Sequence, residues 1–153
     1  MSAEAKVTEL GLEIPAPFKP AGTYVNAVRS GNLLFLAGHV PYRAGGAIVL
    51  GKLGAGLDVA AGYEAARLAA LGVVATLRDE LGTLDRVVRI VKLYGVVNSA
   101  PDFMAHTRVI DGASDLLVEV FGDAGRHARV AVGVASLPAG MALEIDVIIE
   151  VSD

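Results

Sequence analysis

The sequence lacks cysteine altogether, and this absence removes several kinds of chemistry from consideration. Without thiols, the chain forms no disulfides, builds no zinc–thiolate site and has no thiol nucleophile. Its three histidines are His39, His106 and His127, and no pair of them has the spacing typical of metal ligands. We therefore expect no metal site.

The chain also lacks a basic signature and a long apolar run. Its formal net charge of −4 offers no footprint for nucleic acid. The longest apolar run, Leu68–Leu77, is far shorter than the roughly 20 residues that a membrane span needs. The N-terminus has no cationic segment followed by an apolar block, so we expect no signal peptide. These absences predict a cytoplasmic protein that binds neither nucleic acid nor membranes and acts on a small molecule.

What the chain does contain is apolar. Hydrophobic residues make up 54% of 153 residues, and charged residues only 20%. A chain of this length forms one domain and buries a substantial core, but much of its surface must still face water. The excess of apolar residues therefore predicts subunit interfaces, and we expect an oligomer.

Periodicity predicts the order β-β-β-α-β-α-β-β. Pro15, Pro17 and Pro20 favour an irregular N-terminal arm over residues 1–23, followed by a single domain over residues 24–153. The predicted strands are 24–28, 33–37, 47–50, 87–97, 130–135 and 141–151, and the predicted helices are 59–81 and 99–121. One α+β domain with a six-stranded mixed sheet and two helices on one face is the economical architecture. The face of the sheet that the helices leave uncovered must also be buried, so we again expect partner subunits.

The last two predicted strands each carry an embedded charge, Arg129 at the entry of the first and Glu144 inside the second. A hairpin around Pro138 and Ala139 places these two residues level with each other. Such an Arg–Glu pair is able to bind a carboxylate and handle a proton. A cross-strand salt bridge is the simpler interpretation, and the pattern alone favours it.

Two further residues are candidates for a ligand site. Gly38 ends the second predicted strand where a backbone NH can face a ligand, although a bulge or strand end accounts for it equally well. Tyr24 opens the first predicted strand after the arm and can present its hydroxyl group at the sheet edge.

Three segments together resemble the Rid family, the reactive intermediate deaminases also called YjgF. They are PAGTYVNAVRSGNLLFLAGHVP at residues 20–41, PDF at residues 101–103, and ARVAVGVASLP followed by LEIDVIIEV at residues 128–151. The resemblance implies a chorismate-mutase-like fold and a homotrimer with ligand clefts between subunits. It also implies a cofactor-free reaction in which small 2-imino or enamine acids are hydrolysed to 2-keto acids and ammonia.

The resemblance also implies roles for single residues. Arg129 is expected to clamp the substrate carboxylate, and Glu144 to orient or activate the attacking water. Tyr24 and the backbone at Gly38 are expected to complete the cleft. A helix asparagine of the family corresponds to Asp111 in this sequence.

This sequence departs from the family pattern beyond Asp111. Ala37 replaces a strand serine, and Ala131 replaces a cysteine two residues beyond the arginine. The proline-rich arm and the glycine-rich loop at residues 43–56 indicate a longer, divergent branch. Two hypotheses therefore stand: a deaminase of the 2-iminobutanoate and 2-iminopropanoate type, and a binder of small carboxylates without turnover. A ribonuclease or translation inhibitor is a third, which the acidic charge disfavours.

Overall fold

The computed structural model describes residues 1–153 as three helices and seven strands, joined in part by short 3-10 turns. The helices are α1 (Ala3–Glu9), α2 (Val59–Leu81) and α3 (His106–Phe121). The strands are β1 (Ala27–Ser30), β2 (Leu33–Leu36), β3 (Lys52–Leu53), β4 (Gly56–Leu57), β5 (Val87–Asn98), β6 (Ala128–Val134) and β7 (Leu143–Val151). The α+β class predicted from the sequence is confirmed.

The main sheet has five strands in the order β1-β2-β7-β5-β6. β5 and β6 run parallel, and the other neighbouring pairs are antiparallel, so the sheet is mixed as predicted. The parallel pair needs a crossover, which α3 provides. The odd-numbered residues of β7, 143–151, are all buried on the face that α2 and α3 cover.

The sequence predicts the bounds of α2 correctly because its two ends carry local signals. The Asp58 side chain caps the N-terminus by accepting a hydrogen bond from the Ala61 amide at 2.8 Å. Gly82 ends the helix in the left-handed region, with φ at 77°. By length and composition this helix is able to cross a membrane, but its Ala66 and Val73 are completely buried in the core. Burial of this kind is typical of a core helix.

The prediction of an irregular arm over residues 1–23 is wrong for its first part. Residues 3–9 form α1, and the Ser2 hydroxyl group caps it by accepting a hydrogen bond from the Ala5 amide at 3.2 Å. Val7 is buried in the same core as the sheet and α2. The prolines that suggested an irregular arm begin only at Pro15, well after this helix has ended.

Two predictions about the sheet are also wrong. The strand expected at 47–50 makes only isolated bridges, from Ile48 to Tyr42 and from Leu50 to Met141, so the main sheet has five strands instead of six. β6 and β7 are not a hairpin, because β5 lies between them and pairs with both. Alternation along a strand shows which residues share a face, but it does not identify the neighbouring strand.

The face of the sheet opposite the helices is left open and is largely apolar. Register pairs Val28 with Phe35 and Phe35 with Ile148, while Tyr94 lies opposite Asp146. Val28, Phe35 and Tyr94 are 56%, 41% and 40% exposed. We call this surface, which also includes Glu144, Val96, Val130 and Val132, the open face.

Candidate functional site

Arg129 and Glu144 lie on opposite faces of the sheet within one subunit. Arg129 is in register with Leu93, which is completely buried on the helix face. Glu144 is in register with Val96 and alternates with the buried Leu143 and Ile145, so it belongs to the open face. The cross-strand Arg–Glu pair expected from the sequence therefore does not form.

Glu144 and Gly38 do meet on the open face. A Cβ atom added to Gly38 would collide with the Glu144 carboxyl group, so only glycine allows this carboxylate to lie against the strand end. The Glu144 carboxylate has no hydrogen-bond partner in the protein. Burial, and secondarily the charge of Asp146, raises the pKa of Glu144 above its usual value. A half-buried carboxylate with a raised pKa is suited to accepting and returning a proton.

The strand end that carries Gly38 is held from behind by a buried histidine. His39 Nδ1 lies 2.7 Å from the Ala37 carbonyl oxygen, and its Nε2 lies 2.8 Å from Thr76 Oγ1 on α2. Burial lowers the pKa of His39, which favours the neutral ring. A carbonyl oxygen only accepts, so Nδ1 carries the proton and Nε2 accepts from the Thr76 hydroxyl group. His39 is therefore buried behind the strand end and does not line a pocket at the surface.

Arg129 lies at the sheet edge, where α3 surrounds its guanidinium group. Nη1 donates to Asp111 Oδ1 at 2.8 Å and to Ser114 Oγ at 3.1 Å, while Nη2 donates to the Thr107 carbonyl oxygen at 3.4 Å. The Arg129 side chain is only 22% exposed. Three of its five N–H donors are occupied, and the free ones are Nε–H and one Nη2–H.

Tyr24 makes its hydrogen bond within its own segment. Its hydroxyl oxygen accepts a hydrogen bond from the Ala21 amide at 3.2 Å, and a Cβ atom added to Gly22 would touch its ring, so the side chain folds back onto its own segment. The residue is 52% exposed. Among the five residues selected from the sequence, the structure therefore brings together two pairs within one subunit, Gly38 with Glu144 and Arg129 with Asp111.

Beside Arg129 the structure shows a Ser–His pair that the sequence alone does not predict. Ser114 Oγ lies 3.0 Å from His127 Nε2, and His127 Nδ1 lies 2.7 Å from the Gly125 carbonyl oxygen. The two residues are 13 positions apart on different elements, and no local motif signals their contact. The described residues contain no group of three histidine, aspartate or glutamate side chains placed to hold a metal ion.

The chain matches a known protein family and is similar to an individual protein over nearly its whole length. Residues 4–148 match the family described as "YjgF/chorismate mutase-like, putative endoribonuclease". Protein TCP17 of Trypanosoma cruzi is 47% identical over 150 residues, which cover 97% of this chain and 94% of that protein.

Two solved structures are similar to this chain over nearly its whole length. The structure of Atu1372 from Agrobacterium tumefaciens, a protein of unknown function, is 41% identical, with 98% of this chain and 92% of that one covered at a TM-score of 0.91. A structure from Shewanella oneidensis, named as a putative endoribonuclease, is 35% identical and has a TM-score of 0.95. That match covers 99% of this chain and all of the other.

The raised pKa of Glu144 predicts a pH-dependent change in stability. Its charged form is disfavoured in the folded state, so Glu144→Gln should increase the free energy of unfolding at pH 7. We expect a gain of about 0.5 kcal/mol, after allowing for solvent screening of a half-exposed group. The gain should disappear below the ordinary glutamate pKa of 4.5, where both states are protonated.

Chemical denaturation of both proteins at pH 7 and pH 3.5 measures this difference. Glu150→Gln is the control, because Glu150 lies on the same strand and its carboxylate accepts a hydrogen bond from Asn32. A Glu144→Gln gain that is equal at both pH values would contradict the prediction.

Proposed function

Because the chain belongs to the YjgF/chorismate-mutase-like family, we propose that it is a cofactor-free deaminase. Its substrates are small 2-imino acids, which it hydrolyses to 2-keto acids and ammonia. The observation that carries this proposal is the Glu144 carboxylate, which is half-buried against Gly38, has no hydrogen-bond partner in the protein and has a raised pKa. A carboxylate in this state is suited to general acid–base chemistry on water.

The proposed cleft requires two subunits. Within one subunit the sheet separates Arg129 from Glu144. Self-association through the apolar open face covers residues such as Phe35 and Tyr94 and brings the sheet edge of one subunit against the open face of the next. We propose a homotrimer, in which three such clefts form by symmetry.

In this cleft the substrate carboxylate binds the free Nε–H and Nη2–H donors of Arg129. These two donors lie on one side of the guanidinium group and match two carboxylate oxygens. Water attacks the carbon of the protonated imine while Glu144 accepts one of the water protons, and a neutral carbinolamine forms. Glu144 then returns this proton to the amine nitrogen. The C–N bond breaks, the carbinol oxygen becomes the keto group, and the departing ammonia takes up the carbinol O–H proton as ammonium.

A binder of small carboxylates without turnover is the second candidate. The observation that favours it is the Asp111–Arg129 ion pair, because Asp111 already supplies a carboxylate to the guanidinium group. An internal carboxylate of this kind weakens the attraction for a ligand and for a transition state alike. RNA cleavage, which names of relatives suggest, is disfavoured by the net charge of −4 and by Glu144 and Asp146 on the open face.

Turnover distinguishes the first candidate from the second. An amino-acid oxidase generates 2-iminobutanoate in solution, and the protein should accelerate its conversion to 2-ketobutyrate. Glu144→Gln should reduce kcat at least about 100-fold and leave carboxylate binding intact, because the amide preserves shape but accepts no proton. Wild-type protein that binds 2-ketobutyrate but gives no acceleration would contradict the deaminase and support the binder.

Substitutions of Arg129 and Asp111 should change carboxylate affinity in opposite directions. Arg129→Ala should weaken 2-ketobutyrate binding by about 2–4 kcal/mol, because a bidentate charged contact is lost. Asp111→Asn keeps an oxygen that accepts from Nη1 but removes the competing charge, and should tighten binding about 10-fold. Titration calorimetry measures both changes. Equal affinities in wild type and Arg129→Ala would exclude Arg129 as the carboxylate anchor.

The proposed assembly has a direct test. Light scattering coupled to size exclusion should give a mass about three times that of the chain at micromolar concentration. Phe35→Glu places a charge opposite the apolar Val28 and Ile148 on the open face and should shift the protein towards smaller species, because an unpaired charge in an apolar interface is costly. Arg43→Glu, in the glycine-rich loop, is the control and should leave the mass unchanged. A monomer mass for the wild type would contradict both the trimer and the shared cleft.

A further inference from the structure

We infer that Ser114 and His127 are positioning residues that orient the Arg129 guanidinium group for a carboxylate. The inference rests on the proposed function, because it concerns how Arg129 receives its ligand. Three elements meet at this point: Ser114 on α3, His127 in the segment before β6, and Arg129 on β6. The three side chains form a continuous chain of hydrogen bonds that begins at the Gly125 carbonyl oxygen.

The Gly125 carbonyl oxygen fixes the tautomer of His127. It lies 2.7 Å from Nδ1 and only accepts, so Nδ1 must carry the proton. Burial, and secondarily the charge of Arg129, lowers the pKa of His127 and favours the neutral ring. In the neutral ring Nε2 is an acceptor, and the Ser114 hydroxyl group, 3.0 Å away, donates to it.

This arrangement also fixes the direction of the Ser114 hydroxyl group. With its hydrogen on His127 Nε2, the Ser114 oxygen presents lone pairs to Arg129 Nη1 at 3.1 Å. The second hydrogen of Nη1 goes to Asp111. Both Nη1 hydrogens are therefore occupied, and the guanidinium plane is held on two sides.

The consequence is a single direction of approach for the ligand. A carboxylate is unable to dock on the Nη1–Nη2 end of the guanidinium group, because Asp111 and Ser114 occupy Nη1. The side formed by Nε and Nη2 remains for a bidentate contact, because the Thr107 carbonyl oxygen accepts from only one of the two Nη2 hydrogens. Without Ser114 or without the Nε2 acceptor of His127, the guanidinium plane of Arg129 rotates more freely. Ordering this plane when a ligand binds then costs part of the binding free energy.

The experiment measures 2-ketobutyrate affinity by titration calorimetry on a set of full-length variants. Ser114→Ala removes the hydroxyl group. His127→Asn keeps an N–H that reaches the Gly125 carbonyl oxygen but is too short to reach Ser114. Each single variant should bind about 5-fold more weakly, as expected for one lost hydrogen bond. The double variant should lose no more than either single one, because both substitutions break the same chain of contacts.

Three controls separate positioning from a general loss of structure. Ser114→Thr keeps a hydroxyl group and should bind 2-ketobutyrate with wild-type affinity. Ser99→Ala disrupts the other Ser–His pair, Ser99 with His106 at 3.3 Å, and should change nothing. In an Arg129→Ala background, Ser114→Ala should have no further effect on affinity. Nitrogen NMR of the imidazole should show the proton on Nδ1 of His127.

The outcomes distinguish this inference from the proposed function. If Arg129→Ala lowers affinity but Ser114→Ala and His127→Asn bind like the wild type, the positioning role is overturned and the Arg129 anchor stands. Additive losses in the double variant, or a proton on Nε2 of His127, also overturn it. If Arg129→Ala binds as well as the wild type, the anchor itself is excluded, and the inference is overturned with it.

Discussion

The packing of α2 and α3 against one face of β5 and β7 is the interaction on which the rest of the structure depends. It buries the odd-numbered residues of β7 together with Leu93 and Val97 of β5, so the hydrophobic effect fixes which side of each strand points inward. Because side chains alternate, the same contact sends Glu144 to the opposite side. The position of the proposed proton carrier is thus a by-product of core packing.

The position of Glu144 carries an energetic cost. An ionised carboxylate without a partner, half-buried among apolar residues, opposes folding, and the raised pKa of Glu144 expresses this cost. The structure tolerates the cost at a point where Gly38 leaves space for the carboxylate. Local departures from stable packing of this kind are typical of sites that perform chemistry.

Arg129, unlike Glu144, has hydrogen-bond partners within the subunit. Its charge is satisfied within the subunit by Asp111, Ser114 and the Thr107 carbonyl oxygen, so no unpaired cation is left at the sheet edge. The arrangement orders the guanidinium group in advance but places a competing carboxylate beside it. In the proposed cleft, pre-organisation would raise the affinity for a ligand carboxylate and the competing charge would lower it.

The sequence by itself determined the elements with strong local signals. Residues 59–81 were correct at both ends because Asp58 and Gly82 act on their own helix, and the α+β class follows from periodicity. The helix α1 is not predicted, because the prolines that favour an irregular arm begin only after it, at Pro15. Only the tertiary structure decided that β5 separates β6 from β7 and that Arg129 and Glu144 face opposite sides. It alone also revealed the contact between Ser114 and His127. The physical reason is that strand neighbours and side-chain contacts between distant elements depend on which surfaces pack together, and periodicity along one segment carries no information about its partner.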